Sequence, residues 1–283
     1  MTAAAFSAQP VARPFLKWAG GKTVLLPEIL SRLPKKIGTY YEPFVGAGAV
    51  FFALAAERRF EFSVIGDTNR ELMQTYVSLH HDVGKVISAL KKHVYDEKHY
   101  YAVREKNPSS LTTAELAARF IYLNRTCFNG LYRVNQQGKF NVAFGRYTNP
   151  TICDEENLKA VSETLRYAEV APVFLDFQGT VVNAQPGDAV YFDPPYVPVS
   201  GTANFTAYSA GGFGPIDQRR LHKVATDLAV RGVHVLLSNS DTPFVRELYK
   251  SFKIEHVEVP RRVNSKASKR GNVGELLISG RNQ

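Results

Sequence analysis

Residues 40–67 read YYEPFVGAGAVFFALAAERRFEFSVIGD, and this stretch predicts the class of fold. Tyr40 to Val45 has the length and apolar content of a buried strand. The glycines that follow turn the chain into a helix over Ala49 to Arg59. Phe62 to Ile65 is a second strand. A strand, a glycine turn, a helix and a second strand form one βαβ unit, which is typical of a doubly wound α/β sheet.

Two later segments favour further strands of the same sheet. Ala189 to Phe192 and Val233 to Leu237 are apolar runs of strand length, and a helical pattern over Gln218 to Arg231 separates them. The chain shows no internal repeat and no low-complexity tract.

The composition indicates a globular protein with a polyanionic partner. Of 283 residues 45% are hydrophobic, and 35 Lys and Arg against 26 Asp and Glu leave a net charge of +9. Such an excess favours nucleic acid or an anionic membrane surface. No window approaches the roughly 20 apolar residues of a membrane span, and residues 1–13 lack the pattern of a signal peptide. A long basic amphipathic helix is also absent, so we expect a cytoplasmic protein that binds nucleic acid.

Metal-ligating residues are scarce. Cys127 and Cys153 are too few for a disulfide framework or a four-ligand zinc site, which indicates a reducing compartment and no structural zinc. Four histidines fall in a charged helical stretch without ligand spacing. We expect them at the surface: His80, His81, His93 and His99.

The middle of the chain differs in character from its two ends. From Leu116 through Cys153 there is no acidic residue, while four arginines and one lysine alternate with aromatic residues and asparagines. We therefore predict an insertion over residues 72–158 with its own task, and a discontinuous α/β core formed by residues 1–71 and 159–283.

Asp193-Pro194-Pro195-Tyr196 follows a predicted strand, where α/β folds place ligands. The exocyclic amine of a base is a weak nucleophile because its lone pair is delocalised into the ring. A carboxylate and a carbonyl oxygen can each accept one N–H of this amine. These hydrogen bonds favour a pyramidal nitrogen, whose lone pair points at an electrophile. Neither proline has an N–H, Pro195 holds the Pro194 carbonyl forward, and Tyr196 offers a face to a base removed from a duplex. The alternative is a strand that ends in a proline turn with a capping Asp.

The glycine turn Glu42-Pro43-Phe44-Val45-Gly46-Ala47-Gly48 lets the backbone approach a ligand. Phe51 stands where the dinucleotide-binding fingerprint has its third glycine, so the turn alone is weak evidence. Asp67 ends the second strand, where a carboxylate can hold ribose hydroxyls. An equally good interpretation makes Asp67 the N-cap of a helix over Asn69 to Tyr76.

Lys17-Trp18-Ala19-Gly20-Gly21-Lys22-Thr23 has the glycines of a phosphate loop, but Leu16 occupies the position that a Walker loop requires to be glycine. Trp18 is the only tryptophan of the chain. It could cover a cofactor, with Lys22 supplying charge, or it could be a core residue before a flexible turn.

These three motifs, in this order, resemble those of the Dam-type DNA adenine methyltransferases. The resemblance extends through further segments: Leu123-Asn124-Arg125, Phe128-Asn129-Gly130-Leu131-Tyr132-Arg133, Gly138-Lys139-Phe140-Asn141-Val142, Phe144-Gly145-Arg146-Tyr147, Thr202 to Tyr208, and Glu275-Leu276-Leu277.

The resemblance implies a Rossmann-like methyltransferase sheet with an inserted, mostly helical DNA target-recognition domain. It implies S-adenosylmethionine as methyl donor, S-adenosylhomocysteine as product, no metal, and transfer to N6 of adenine in double-stranded DNA within GATC. The catalytic residues are then Asp193, Pro194, Pro195 and Tyr196. The cofactor-binding residues are Trp18, Lys22, Glu42, Phe44, Gly46, Gly48, Asp67 and Asp193.

For DNA, the resemblance implies guanine contacts by Lys17 and Arg133 and places two groups near an opened base step, Phe128 and Leu131. It implies backbone or positioning contacts by Arg125, Asn129 and Arg146. Phe128 replaces the family's Tyr and Ala143 its Pro, which leaves the preference for flanking bases open. A second basic run, Arg261 to Arg270, is either a phosphate contact or a solvated loop. We expect a monomer.

Two other functions remain open at this point. A DNA-binding protein that has lost catalysis would show a damaged Asp-Pro-Pro-Tyr motif or glycine turn, and both are intact. An amino-methyltransferase could instead act on cytosine N4 or on RNA. Asp rather than Ser at position 193 favours adenine, by resemblance only.

Overall fold

The computed structural model describes residues 11–197, 212–259 and 273–280. The Thr202 to Tyr208 segment and the basic run Arg261 to Arg270 lie outside the described residues. Seven strands are described: β1 Thr39–Glu42, β2 Phe62–Gly66, β3 Val170–Val173, β4 Ala189–Phe192, β5 His234–Ser240, β6 Lys253–Val259 and β7 Val273–Ser279.

Nine α-helices and two short 3-10 turns connect these strands in the described ranges. The helices are α1 Leu26–Arg32, α2 Ala49–Ala56, α3 Arg70–Leu90, α4 Glu97–Glu105, α5 Thr113–Thr126, α6 Glu155–Tyr167, α7 Phe177–Thr180, α8 Pro215–Val230 and α9 Pro243–Leu248, and the turns are Pro108–Ser110 and Phe128–Gly130. No helix within these ranges is long and apolar enough to cross a membrane.

The strands form one sheet in the order β3-β2-β1-β4-β5-β7-β6. β1 to β5 are parallel, and β7 lies antiparallel between β5 and β6. This sheet confirms the predicted α/β class. Because β1 and β4 are neighbours, the glycine turn and the Asp193 motif end side by side at one edge of the sheet.

The first βαβ unit is confirmed, with shorter elements than predicted. β1 ends at Glu42 rather than Val45, since Pro43 has no N–H to give to a neighbouring strand. α2 ends at Ala56 rather than Arg59 because Arg58 adopts a left-handed backbone with φ of 51°. α8 begins three residues before the predicted Gln218, where Pro215 takes a first-turn position and the Asp217 carboxylate accepts a hydrogen bond from Gly214 N.

The hydrophobic core lies on both faces of the sheet, because successive strand residues point to opposite sides. Tyr40 packs on the face covered by α1, α2, α3, α5 and α6, whereas Tyr41 packs on the face covered by α7, α8 and α9. α3 and α5 contribute to the same buried cluster as the sheet. The α-helical part of the predicted insertion therefore packs directly on the first face. The division of the chain into domains stays a prediction.

A buried ion pair holds α3, α4 and α5 together. Arg119 of α5 is 3% exposed and donates hydrogen bonds to the Glu71 carboxylate at 2.9 Å and to two carbonyls at the end of α4, those of Val103 and Arg104. All three partners are acceptors, so the guanidinium is well satisfied despite its burial.

The prediction for the histidines is partly wrong. His81 is exposed, but His80, His93 and His99 are half-buried, with His93 Nδ1 3.0 Å from His99 Nε2. His93 also stacks on Tyr122 with 4.6 Å between ring centroids. The pair packs between the start of α4 and α5, where sequence alone shows no partner.

We expect Arg119→Ala to lower the free energy of unfolding by about 3 kcal/mol, because it leaves Glu71 and two carbonyls without their buried donor. Urea denaturation followed by circular dichroism measures the change. Lys85→Ala removes an exposed ion pair with Asp82 on α3 and should cause no measurable loss. Equal effects of the two substitutions would contradict a structural role for the buried pair.

Candidate active site

A cleft of about 430 Å³ lies at the carboxyl ends of the parallel strands. The three motifs singled out in the sequence meet there: the segment Trp18 to Lys22, the glycine turn after β1, and Asp193 to Tyr196 after β4. Asp67, at the end of β2, lines the same cleft. Residues far apart in the chain are therefore brought to one ligand-sized space, as α/β folds do.

The glycine turn needs both of its glycines. Gly46 and Gly48 have φ of 49° and 74°, in the left-handed region that favours glycine. A Cβ on Gly46 would lie 2.7 Å from the indole nitrogen of Trp18, and one on Gly48 would lie 2.9 Å from the Tyr76 hydroxyl. α2 starts directly after Gly48 without a side-chain cap.

Trp18 forms one wall of the cleft. Its ring stacks on Tyr132 with 6.0 Å between centroids, and its edge meets Gly46. The side chain is half-buried and packs against the core, and the interpretation of Trp18 as the cover of a cofactor stays a prediction. The indole packs against the core on one side and lines the ligand space on the other.

Asp67 is held by backbone amides. Its Oδ1 accepts a hydrogen bond from Asn69 N at 2.8 Å, and Oδ2 lies 3.4 Å from Gly46 N. The N-cap of α3 is Asn69, whose side chain accepts from Leu72 N, so the interpretation of Asp67 as that cap is wrong. Burial raises the pKa of Asp67 to about 6, and the backbone hydrogen bonds oppose the rise.

Lys22 and Asp193 form an ion pair in the cleft. The ammonium of Lys22, which is 7% exposed, lies 2.8 Å from Asp193 Oδ1 and donates to Gly20 O at 2.7 Å. Ser238 Oγ donates to the same Oδ1 at 2.9 Å, and Tyr191 OH lies 2.9 Å from Ser238 Oγ. Within the described ranges no group donates to Asp193 Oδ2, so one carboxylate oxygen stays open to a ligand.

Hydrogen bonds with residues outside the Asp-Pro-Pro-Tyr motif fix its last two residues. Gln218 donates to the Pro195 carbonyl at 3.0 Å, and the Tyr196 hydroxyl donates to the Glu275 carboxylate at 2.6 Å. The Lys22 ammonium lies 4.8 Å from the Tyr196 ring centroid. In the described part of the chain nothing donates to the Pro194 carbonyl. The motif thus offers two open acceptors next to a fixed aromatic ring.

Glu42, at the end of β1, is 3% exposed and accepts a hydrogen bond from Tyr40 OH at 2.8 Å. Burial, together with the nearby Asp193 carboxylate, raises the pKa of Glu42 to about 8, while the Tyr40 hydrogen bond opposes the rise. The raised pKa keeps Glu42 largely protonated at neutral pH, next to the ion pair of Lys22 and Asp193.

Three aromatic rings form a slot at one end of the cleft: Phe44, Phe177 and Phe213. Only Phe44 is predicted from the sequence. Phe44 stacks on Phe177 with 5.7 Å between centroids and meets Phe213 edge-on at the same distance. Phe177 begins α7, just after β3. That strand contains Pro172 and only four residues, so no strand pattern drew attention to the acidic and aromatic pair Asp176-Phe177 behind it.

The predicted DNA contacts form a second group of residues beside the cleft. The Lys17 ammonium lies 3.8 Å from the Tyr147 ring centroid, and burial and the charge of Arg125 lower the pKa of Lys17. Arg133 is exposed on a hairpin, where it donates to the side-chain oxygen of Asn141 at 2.8 Å and to its carbonyl.

The other predicted DNA contacts differ in exposure. Phe128 is 53% exposed, an unusual state for a phenylalanine, while Leu131 is half-buried. Asn129 and Arg146 are exposed, and Asn129 has φ of 54°. Arg125 is half-buried, and its Nε has no hydrogen-bond partner among the described residues. The structure thus brings these residues to one region next to Lys17 without showing what they bind.

Comparison with known proteins extends over nearly the whole chain. A family model described as D12 class N6 adenine-specific DNA methyltransferase matches residues 18–263. The chain is 42% identical over 273 residues to the type II methyltransferase M1.LlaDCHI of Lactococcus lactis subsp. cremoris, across 94% of this chain and 95% of that protein. It is 42% identical over 285 residues to the type II methyltransferase M.MjaIII of Methanocaldococcus jannaschii, across 94% and 98% of the two chains. The DNA adenine methylase of Escherichia coli (strain K12) is 37% identical over 273 residues, across 94% of each chain.

The raised pKa of Glu42 predicts a pH-dependent stability. A glutamate in the unfolded chain titrates near 4.3, so between about pH 5 and 8 the folded state holds a proton that the unfolded state has released. This contribution is full below the unfolded pKa and is lost as pH rises towards 8, by up to about 1.4 kcal/mol per pH unit.

Glu42→Gln cannot titrate but still accepts the Tyr40 hydrogen bond. We therefore expect its free energy of unfolding, minus that of the wild type, to increase between about pH 5.5 and 7.5 in urea denaturation. A constant difference across this range would contradict a neutral Glu42.

Proposed function

The chain belongs to the D12 class of N6 adenine-specific DNA methyltransferases, and we propose that it transfers the methyl group of S-adenosylmethionine to an adenine flipped out of duplex GATC. The observation that supports this most directly is the pair of open acceptors in the cleft, Asp193 Oδ2 and the Pro194 carbonyl, beside the Tyr196 ring. These groups suit an exocyclic amine that carries two N–H donors.

The open acceptors would orient the amine. One N–H donated to Asp193 Oδ2 and one to the Pro194 carbonyl would turn the lone pair of N6 away from the ring plane. Tyr196, fixed by Glu275, would stack on the flipped base. Lys22 and Ser238 would keep Asp193 in place by occupying its other oxygen.

The remaining part of the cleft fits a nucleoside cofactor. Asp67 would accept hydrogen bonds from the ribose hydroxyls, and the slot formed by Phe44, Phe177 and Phe213 would hold the adenine ring of the cofactor. Gly46 and Gly48 would let the cofactor approach the backbone, with Trp18 covering it.

When bound, S-adenosylmethionine supplies a methyl group on a sulfonium sulfur, a good leaving group. Asp193 Oδ2 and the Pro194 carbonyl would hold N6 with its lone pair facing this methyl group, and the proton that N6 loses on methylation would pass to water. This displacement needs no covalent enzyme intermediate. Asp193 acts in it as an orienting acceptor rather than as a strong base.

The residues beside the cleft would read the DNA. Arg133 and Lys17 would each contact a guanine of GATC, while Arg125, Asn129 and Arg146 would hold the phosphate backbone. Phe128, which is exposed, and Leu131 would lie at the base step opened by flipping. We further propose that a monomer acts on one strand at a time.

The test of this function is direct. The protein is incubated with S-adenosylmethionine and a GATC duplex, and the duplex is then digested with nucleases that distinguish methylated from unmethylated sites. Methylation at adenine of GATC is the expected result. Transfer to cytosine, to RNA, or to adenine without sequence preference would each reject a different part of the proposal, and no transfer by a folded protein would reject all of it.

Asp193→Ala removes one of the two amine acceptors, and we expect at least a hundredfold fall in kcat with DNA affinity largely kept. Single-turnover methylation assays and fluorescence anisotropy with labelled duplex measure the two quantities. Asp227→Ala changes an exposed acid on α8 and serves as the control. Activity above a few percent of wild type in the Asp193 variant would show that the carboxylate does not orient the amine.

Arg133→Ala should relax sequence preference rather than weaken all binding, at a cost of about 1 to 3 kcal/mol for a lost guanine contact. The measurement compares kcat/KM on GATC with that on duplexes changed at one outer base pair. Lys139→Ala is a matched control because Lys139 is an exposed cation of the same hairpin. If Arg133→Ala lowered kcat/KM by the same factor on every duplex, Arg133 would be a phosphate contact.

A further inference from the structure

Asn124 joins two parts of the chain that are distant in sequence. Its side chain, at the end of α5, is 3% exposed and makes three hydrogen bonds to backbone groups. Oδ1 accepts from Lys17 N at 2.8 Å, and Nδ2 donates to Lys17 O at 2.7 Å and to Gly130 O at 3.1 Å. One buried amide therefore ties Lys17 to the loop that contains Gly130.

The loop also touches Lys17 directly. Gly130 has φ of 62°, and a Cβ at this position would lie 2.3 Å from Lys17 Cβ. The backbone of the loop thus packs against the Lys17 side chain without room for a methyl group. The same loop continues to Leu131 and then to Arg133.

The far end of the Lys17 side chain is positioned as well. Its ammonium lies over the Tyr147 ring, whose hydroxyl donates to Cys127 O at 2.7 Å and whose backbone N donates to Tyr95 OH at 2.6 Å. The backbone, the aliphatic part and the ammonium of Lys17 are therefore all held in place. The Asn124 amide holds the backbone.

We propose that Asn124 is a positioning residue for sequence recognition, which sets the place of the Lys17 ammonium relative to the loop at residues 128–133. This inference rests on the proposed function, in which Lys17 and Arg133 each read one guanine. If Lys17 and Arg133 contact guanines at the two ends of GATC, the distance between these two side chains must be fixed. A shift of about 1 Å breaks a hydrogen bond to a base edge.

The chain contains a matched control for this role. Asn157 of α6 is 4% exposed and clamps the same N-terminal segment four residues earlier, accepting from Arg13 N at 2.9 Å and donating to Arg13 O at 3.1 Å. None of the hydrogen bonds of Asn157 within the described ranges reaches the loop at residues 128–133. Asn157→Ala therefore loosens the segment and removes a buried amide without separating Lys17 from the loop.

The experiment measures kcat/KM on hemimethylated duplexes, in which only one adenine can accept a methyl group and the orientation of the enzyme is defined. One duplex contains GATC, and two others carry a replacement at one or the other outer base pair. We expect Asn124→Ala to lose roughly tenfold or more of the discrimination at one outer pair and none at the pair that Arg133→Ala affects. Asn157→Ala should keep the discrimination at both pairs.

A second variant gives the same test if Asn124→Ala does not fold. Gly130→Ala keeps the Asn124 amide but pushes Lys17 from the loop, so we expect the same loss at the same base pair. Gly187→Ala is its control, since Gly187 also has a positive φ, of 93°, but a Cβ there meets no atom within 4 Å.

Equal loss of kcat/KM on all three duplexes in Asn124→Ala, or the same loss of discrimination in Asn157→Ala, would overturn the inference. Its failure is distinguishable from that of the proposed function. A wild-type protein that shows no preference at either outer pair rejects GATC recognition itself. A wild-type preference that survives unchanged in both Asn124→Ala and Gly130→Ala rejects only the role of Asn124.

Discussion

The position of the N-terminal segment, residues 13–22, is the constraint on which the cleft and its surroundings depend. This segment belongs to no helix or strand, and polar side chains from three other parts of the chain hold it: Asn157 at Arg13, Asn124 at Lys17 and Asp193 at Lys22. Asn157 and Asn124 satisfy backbone groups of the segment, and Asp193 pairs with the buried Lys22 ammonium, so the loss of these contacts is costly. The segment thereby places Trp18 against the glycine turn and Lys17 against the loop at Gly130. Of these two neighbouring residues, Trp18 lines the cleft and Lys17 belongs to the predicted DNA contacts.

The electrostatics of the cleft depend on the same segment. Two acids, the buried Glu42 and the partly exposed Asp193, lie near the Lys22 ammonium, which contacts Asp193 directly. Glu42 keeps its proton at neutral pH because burial raises its pKa to about 8, although the hydrogen bond from Tyr40 opposes the rise. Asp193 is thus the acid that pairs with Lys22 and lies beside the open carbonyl of Pro194. Ser238 and Tyr191 extend this arrangement into the sheet, where the hydroxyl groups satisfy each other away from water.

Much of the sheet and of the cleft could be predicted, and the exceptions have local causes. β1, β2, β4 and β5 were found because each is a short apolar run bounded by glycine, proline or a charge. The sequence patterns do not predict β3, β6 or β7. Pro172 and a length of only four residues hide β3, so Phe177 behind it is not identified either. The histidine pair at residues 93 and 99 was expected at the surface because helical charge patterns do not show that α5 packs against them. Asp67 had two equal interpretations, and only the hydrogen bond from Leu72 to Asn69 excluded the cap.

The sequence by itself determined the class of fold, the family, and the residues that meet at the carboxyl edge of the sheet, because strand ends and glycine turns follow from short-range patterns. Tertiary structure alone decided which partner each polar group takes. Lys22 contacts Asp193 rather than Glu42, Asn124 clamps Lys17, and Trp18 packs on Gly46 across a gap too narrow for a methyl group. Such choices depend on distances of a few ångströms between segments more than a hundred residues apart in several cases. Neither residue spacing nor hydrophobic periodicity contains those distances.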